Sequence, residues 1–88
     1  MKLIILDCRE IFAREDLHRR LAEGFDFPEW YGNNLDALHD CLTELSEETA
    51  ITVLQPETLL ETLGSGYTRL CRVLADSAEE NPYLHIQI

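Results

Sequence analysis

Three carboxylates recur at every fourth position in the segment LDALHDCLTEL, at Asp36, Asp40 and Glu44. On a helix, residues four apart lie on the same side, so these side chains form one line, here called the acidic ridge. Like charges at this spacing destabilise a helix by about 0.2–0.5 kcal/mol per pair. The surrounding 48 residues, 21–68, contain ten acids and no Lys or Arg. The pattern indicates a surface that binds a cationic partner, with a merely solvated acidic face as the alternative.

The loop before the ridge carries residue types that are common in protein interfaces. It has the sequence PEWYGNN, in which Pro28 stiffens the backbone and Gly32 permits a positive φ or a close approach by a partner. Trp and Tyr side chains are large and have few rotatable bonds, so they often form the centre of an interface. We expect Trp30 to be at least partly exposed and Tyr31 to fill the core beneath the loop.

Composition limits the classes of function. The chain has 88 residues, 45% of them apolar, and a formal net charge of −10 at pH 7. This length predicts one domain spanning 1–88. Nucleic acids and anionic membranes are disfavoured as partners, because binding to either needs a basic surface. A basic protein is the natural complement, since opposite charges steer association.

Two further features bear on location and chemistry. The N-terminal run LIIL is too short for a signal peptide or a membrane span, so we expect a cytoplasmic protein. The three cysteines, Cys8, Cys41 and Cys71, are widely spaced and form no C-x-x-C motif. Their number and spacing argue against a disulfide framework or a zinc site, and predict reduced thiols.

Hydrophobic periodicity predicts three strands. The near-continuous apolar run MKLIIL is typical of a strand buried on both faces. The segment AITVL, at 50–54, is rich in β-branched residues. In YLHIQI, Leu84, Ile86 and Ile88 alternate with polar or aromatic residues, which predicts a strand with one face in water.

Four helices are predicted between these strands, at about 14–23, 35–45, 57–63 and 67–79. Gly24 is expected to end the first, and Asn34 is a good N-cap for the second. Pro56 can open the third and Gly64 can close it. The order β-α-α-β-α-α-β, with long helical connections, implies right-handed crossovers. The predicted fold is a small α/β fold with a three-stranded parallel sheet and about four helices.

Enzymatic and metal-binding interpretations fit this pattern poorly. Two carboxylates on an exposed helix lack the apolar pocket that raises the pKa of one of them for acid–base catalysis. A metal site made of Asp36, His39, Asp40 and Cys41 is also disfavoured, because Cys41 would lie on the core side of the helix, opposite His39. We therefore predict no catalytic residue, no bound metal and no cofactor.

The segment PEWYGNNLDALHDCLTEL resembles the signature segment of the barstar family, the intracellular inhibitors of small microbial ribonucleases such as barnase. Weaker similarity extends over nearly the whole chain, including DLHRRLAE and the C-terminal helix and strand. The resemblance implies an inhibitor, antitoxin or immunity protein of bacterial type. It also implies that the chain, monomeric when free, binds a basic ribonuclease or related toxin 1:1.

The resemblance also implies which residues contact the partner. Asp40 matches the family aspartate that enters the ribonuclease active site, and Asp36 matches a second acidic contact. The expected partner-binding residues, including neighbours in the signature segment, are Trp30, Gly32, Asn34, Leu35, Asp36, Ala37, His39, Asp40, Thr43, Glu44 and Asp76.

Two positions depart from the family pattern. His39 replaces an interface tryptophan, and Leu45 follows Glu44 where the family's reference member has Gly-Trp. The partner can therefore be barnase, another ribonuclease or a different toxin. An acidic adaptor that binds a basic non-enzymatic protein is the alternative function, since it needs the same ridge. His39, between two aspartates, could also make binding pH-dependent, or be an ordinary surface histidine.

Overall fold

A computed structural model describes residues 1–88, and its elements follow the predicted order. They are β1 (Lys2–Asp7), α1 (Arg14–Phe25), α2 (Leu35–Thr43), β2 (Thr49–Leu54), α3 (Pro56–Leu63), α4 (Ser65–Glu80) and β3 (Leu84–Gln87). The strands form one parallel sheet in the order β1-β2-β3. The predicted α/β fold with a three-stranded parallel sheet and four helices is confirmed. No helix combines the length and the apolar character needed to cross a lipid bilayer.

The sheet buries one face and leaves much of the other in water. Ile4 of β1 pairs with Ile51 of β2, and both side chains are buried on the inner face. Leu3 and Ile5 point the opposite way and remain 73% and 69% exposed. The prediction that the first strand is buried on both faces is therefore wrong. Both crossovers run in the same direction across the sheet, and right-handed crossovers of that kind place all helices on one face.

The inner face of the sheet and the helices share one core. Its cluster of 17 buried residues draws most of its members from β1, β2 and the apolar stripes of the four helices. The completely buried leucines come from α2 and α3, namely Leu38, Leu42 and Leu59. Full burial of such a side chain is worth about 1.5–3 kcal/mol each. This burial fixes the rotation of each helix about its own axis.

Two helix ends differ from the predictions. Gly24 does not end α1, which continues to Phe25 and ends at Asp26 in the left-handed conformation with φ 58°. A Cβ on Gly24 would lie only 3.0 Å from Ile4 Cγ2, so this glycine lets α1 pack closely on β1. Helix α2 ends at Thr43 rather than Leu45, because the amides of Glu44 and Leu45 bond to carbonyls three residues back.

A buried histidine holds the loop before α2 against α1. The Nδ1 atom of His18 lies 2.6 Å from the hydroxyl of Tyr31, and both residues are buried. Phe27 packs on Tyr31, with 4.9 Å between ring centroids, and stacks on Phe25. Burial lowers the pKa of His18 below its usual 6.5, and nearby Arg14 lowers it further while Glu15 raises it. The expectation that Tyr31 belongs to the core is confirmed.

A buried asparagine ties α4 to the C-terminal end of α2. The Asn81 amide donates to the carbonyls of Leu42 and Leu45, at 2.9 and 3.0 Å, and its side-chain oxygen accepts from the Tyr83 amide. Both carbonyls lie at the end of α2: that of Leu42 also accepts from the Leu45 amide, whereas Asn81 provides the only protein donor to that of Leu45. Asn81 also ends α4, and the following Pro82 cannot continue the helix.

We expect Asn81→Ala to lower the free energy of unfolding by about 1–3 kcal/mol, because it removes the donor of the part-buried Leu45 carbonyl and a second donor of the Leu42 carbonyl. Urea denaturation measures the change. The control is Gln87→Ala, which removes an amide whose bond to Thr52 lies at the exposed sheet surface and should cost much less. Equal losses of unfolding free energy in the two variants would contradict a stabilising role for the hydrogen bonds of Asn81.

The protein should lose stability as the pH falls from about 7.5 to about 5.5, in part through His18. Because the folded-state pKa of His18 is depressed, the unfolded chain binds more protons below pH 6.5, and folding becomes less favourable. In His18→Gln, which keeps an acceptor for Tyr31, this contribution disappears, so the same pH change should destabilise the variant less. Urea midpoints at several pH values compare the two proteins, and identical pH profiles would argue against this assignment.

Candidate protein-binding site

The rotation of α2 places the acidic ridge in water. Leu38 and Leu42 are completely buried in the core, which turns the opposite side of the helix outward. Asp36, Asp40 and Glu44 are all exposed on that side. Glu44 lies just beyond the last helical residue but keeps a right-handed helical backbone, so the ridge continues across the helix end. The three carboxylates therefore share one surface, as their spacing predicted.

The N-terminal end of α2 is fixed by the loop that precedes it. The side chain of Asn34 accepts a hydrogen bond from the Ala37 amide at 2.8 Å, which confirms its prediction as N-cap. Asn33, not Gly32, adopts the positive φ, at 54°. Gly32 packs closely on the N-cap, because a Cβ there would lie 3.1 Å from the Asn34 side-chain nitrogen, and its approach by a partner stays a prediction. The first turn of the helix is thus well defined.

No Lys or Arg pairs with the ridge. Among its carboxylates only Asp40 has a basic side chain within 4 Å, the imidazole of His39, whose Nδ1 lies 3.9 Å away. Below the ridge, burial raises the pKa of the Cys41 thiol, and the negative charges of Glu44 and Asp40 raise it further. The ridge therefore presents unneutralised negative charge, which is available to a partner.

Helix α4 contributes a residue that the sequence did not indicate. A carboxylate oxygen of Glu80 lies within hydrogen-bond distance of the Nε2 atom of His39, across the contact between α2 and α4. The two residues are 41 positions apart, so only the packing of the helices brings them together. His39 is consequently held by α4 and is not a free surface side chain.

The remaining predicted residues surround the ridge in different ways. Trp30 is 73% exposed, although the adjacent Tyr31 is buried, so the loop directs its tryptophan into solvent. Leu35 and Ala37 are half-buried and pack against the core. The Thr43 hydroxyl donates to carbonyls of its own helix, at 3.0 Å to His39.

Asp76 is the one predicted contact that lies outside the loop, α2 and its C-cap. It is exposed on α4, one helical turn before Glu80. Because Glu80 reaches His39, this side of α4 borders the ridge. The acidic surface therefore extends over two helices, α2 and α4.

The site contains no arrangement suited to metal binding. No group of three or more His, Cys, Asp or Glu side chains in the structure is placed to hold a metal ion. Cys41 is buried, whereas His39 points toward α4.

Comparison with known proteins adds an independent finding. The family model described as Barstar (barnase inhibitor) matches residues 1–86. The chain is also 40% identical over 81 residues to a Bacillus subtilis (strain 168) protein named "Putative ribonuclease inhibitor YrdF". That alignment covers 91% of this chain and 89% of the relative. Together with the parallel three-stranded fold and its four helices, these matches show that the chain belongs to the barstar family.

Proposed function

We propose that this protein is an inhibitor that blocks the active site of a small basic ribonuclease, or a related toxin, with the acidic ridge on α2. The observation that carries the proposal is a row of three exposed carboxylates without a Lys or Arg partner, on a helix fixed at both ends. The family match and the name of the Bacillus relative support a ribonuclease as the partner.

Inhibition would follow from imitation of the substrate. A ribonuclease binds RNA phosphates with Arg, Lys or His, and a carboxylate offers the same charge and acceptor oxygens to those groups. Asp40, at the centre of the ridge, would pair with them most directly, and Asp36 would add a second contact. Because α2 is already formed and held at both ends in the free protein, little conformational entropy would be lost on binding.

The residues around the ridge would provide shape and water exclusion. Trp30 supplies a large apolar surface at one side, and Asp76 extends the negative surface onto α4. Such an arrangement matches the general plan of an interface, with a few strong central contacts surrounded by weaker ones. A non-enzymatic role in the cytoplasm, as an antitoxin or immunity protein in a 1:1 complex, accords with this mechanism. The alternative, an adaptor for a basic non-enzymatic protein, would use the same surface.

The first test is ribonuclease inhibition. The purified protein is titrated against barnase and several related microbial ribonucleases, with RNA cleavage as the readout. We expect stoichiometric inhibition of at least one enzyme. The inhibitor function would be wrong if no enzyme of the panel were inhibited. Capture of a basic non-enzymatic protein by the same surface would then establish the adaptor function in its place.

Asp40→Ala should weaken binding to the inhibited enzyme more than any other single substitution on the ridge. We expect a loss of at least about 30-fold, since removing one partner of a buried charge pair costs about 2–5 kcal/mol, a range established in part on the barnase–barstar complex. Surface plasmon resonance or inhibition titration measures it. The matched control is Glu47→Ala, which removes the same charge from an exposed position outside the ridge. If both variants lost equal affinity, net charge rather than the ridge would be responsible.

Association should also depend strongly on salt, because long-range attraction by the ridge would steer the encounter. Raising the ionic strength from about 0.01 M to about 0.15 M shortens the Debye length from about 30 Å to about 8 Å. We expect the association rate constant to fall at least tenfold over this range, with a smaller change in the dissociation rate constant. Stopped-flow fluorescence, with Trp30 as a probe at the interface, measures the association and dissociation rate constants separately. A salt-independent association rate would argue against electrostatic steering.

A further inference from the structure

A second surface, lined by several cationic side chains, lies beside the acidic ridge. A groove of about 1280 Å³ runs between α1, the start of α2 and the α3–α4 pair. Its walls include the apolar side chains of Leu17, Leu35, Leu63 and Val73 together with several charged groups. The volume exceeds that of most small-molecule sites, so an organic ligand can enter without displacing a helix.

The cations of the chain are concentrated in this groove. Four of the seven Lys and Arg residues line it, whereas only three of the seventeen acids do. The four cations are Arg14, Arg19, Arg69 and Arg72, and the three acids are Glu15, Glu23 and Asp36. In a protein of net charge −10, this is a marked separation of charge. The rest of the surface is correspondingly more acidic.

Three of these arginines have no carboxylate partner. Outside the groove, Arg9 and Arg20 form ion pairs with Asp7 and Glu10. Arg19 is also paired, with Asp16, but Arg14, Arg69 and Arg72 form no ion pair. Arg69 and Arg72 are three residues apart on α4, and such residues are neighbours on a helix surface. The groove therefore holds guanidinium groups that are free to bind an anion.

A buried histidine beside the groove has an unused hydrogen-bonding atom. His18 lines the groove and is 1% exposed, and its Nε2 atom has no hydrogen-bond partner in the protein. The Tyr31 hydroxyl, 2.6 Å from Nδ1, is the protein partner of that nitrogen and can donate to it. In that arrangement the proton of the neutral ring resides on Nε2, because a neutral imidazole carries a single N–H. An N–H donor without an acceptor suits an anionic oxygen.

From these observations we propose that the groove binds a phosphate monoester of a small organic molecule. Arginine guanidinium groups recognise phosphate by paired, charge-assisted hydrogen bonds, so Arg14, Arg69 and Arg72 would hold the phosphoryl group. The apolar walls would contact the organic part. The three carboxylates of the groove would repel a second anionic group, which favours one phosphoryl group on an otherwise neutral molecule. This proposal is independent of the inhibitor role.

A small phosphate ester is compatible with the strong net negative charge. Electrostatic interactions between exposed charges fade over roughly 8–10 Å at physiological ionic strength, so a small ligand responds mainly to the groove itself. A long nucleic acid would extend over the acidic remainder of the surface and be repelled. The groove thus distinguishes a mononucleotide from a polymer.

Binding is tested by isothermal titration calorimetry of the full chain with adenosine 5′-monophosphate, inorganic phosphate, adenosine and adenosine 5′-triphosphate. We expect the monophosphate to bind, adenosine not to bind, and the triphosphate to bind at least tenfold more weakly than the monophosphate. Inorganic phosphate shows whether the groove binds a phosphate ester or the free ion. We expect it to bind more weakly than adenosine 5′-monophosphate. Equal binding of the two would mean that the groove takes the free ion and not an ester. No binding of any phosphate at millimolar concentration would overturn the proposal.

The matched variants are Arg69→Gln and Arg72→Gln against Arg20→Gln, which removes the same charge from outside the groove. Each groove variant should weaken binding of the monophosphate about tenfold or more, the loss expected for one charge-assisted hydrogen bond, while Arg20→Gln leaves it nearly unchanged. Circular dichroism establishes that all three variants fold. NMR of the imidazole ring provides a second readout, because a bound anion should perturb the His18 resonances and leave those of His85 in place. Equal losses in all variants, or unperturbed His18 resonances, would refute the assignment.

Discussion

Burial of one side of α2 is the constraint on which the rest of the site depends. Leu38 and Leu42 have no contact with solvent, and a helix that buries both has only one possible rotation. That rotation directs Asp36, Asp40 and Glu44 outward together. The electrostatic cost of the three like charges is a few tenths of a kilocalorie per pair, whereas each buried leucine is worth about 1.5–3 kcal/mol. The core therefore determines the orientation of the carboxylates, and their repulsion cannot reverse it.

The ends of α2 are held by side chains and not by helix propensity. A helix of nine residues is too short to be stable alone, so its termini need partners. Asn34 supplies one from the preceding loop, and Asn81 supplies the other from the end of α4. Since Asn81 also ends α4, its amide joins the ends of the two helices. The acidic surface, which extends over both, inherits its geometry from that contact.

Sequence patterns were informative where they depended on neighbours along the chain. The ridge, the Asn34 cap, the termini of α3 and the alternation of β3 all rest on local spacing, and each appears in the structure. The pattern failed for β1, because a continuous apolar run does not reveal that both crossovers lie on one face and leave Leu3 and Ile5 exposed. The prediction that Gly24 ends α1 failed for a related reason. The absence of a side chain at this position instead allows α1 to pack closely against Ile4 of β1.

The contacts missed by sequence analysis all join distant segments. His39 meets Glu80, Asn81 reaches Leu42, and His18 bonds to Tyr31, at separations that no periodicity encodes. The same packing explains how one small chain acquires surfaces of both signs. The sequence has two groups of arginines, one on α1 and one on α4, with an acidic stretch between them. Because the fold brings α1 and α4 together beside the start of α2, four arginines line the groove, whereas Asp40 and Glu44 of the ridge lie outside it. Asp36 borders both surfaces, so a protein bound to the ridge would lie against the mouth of the groove.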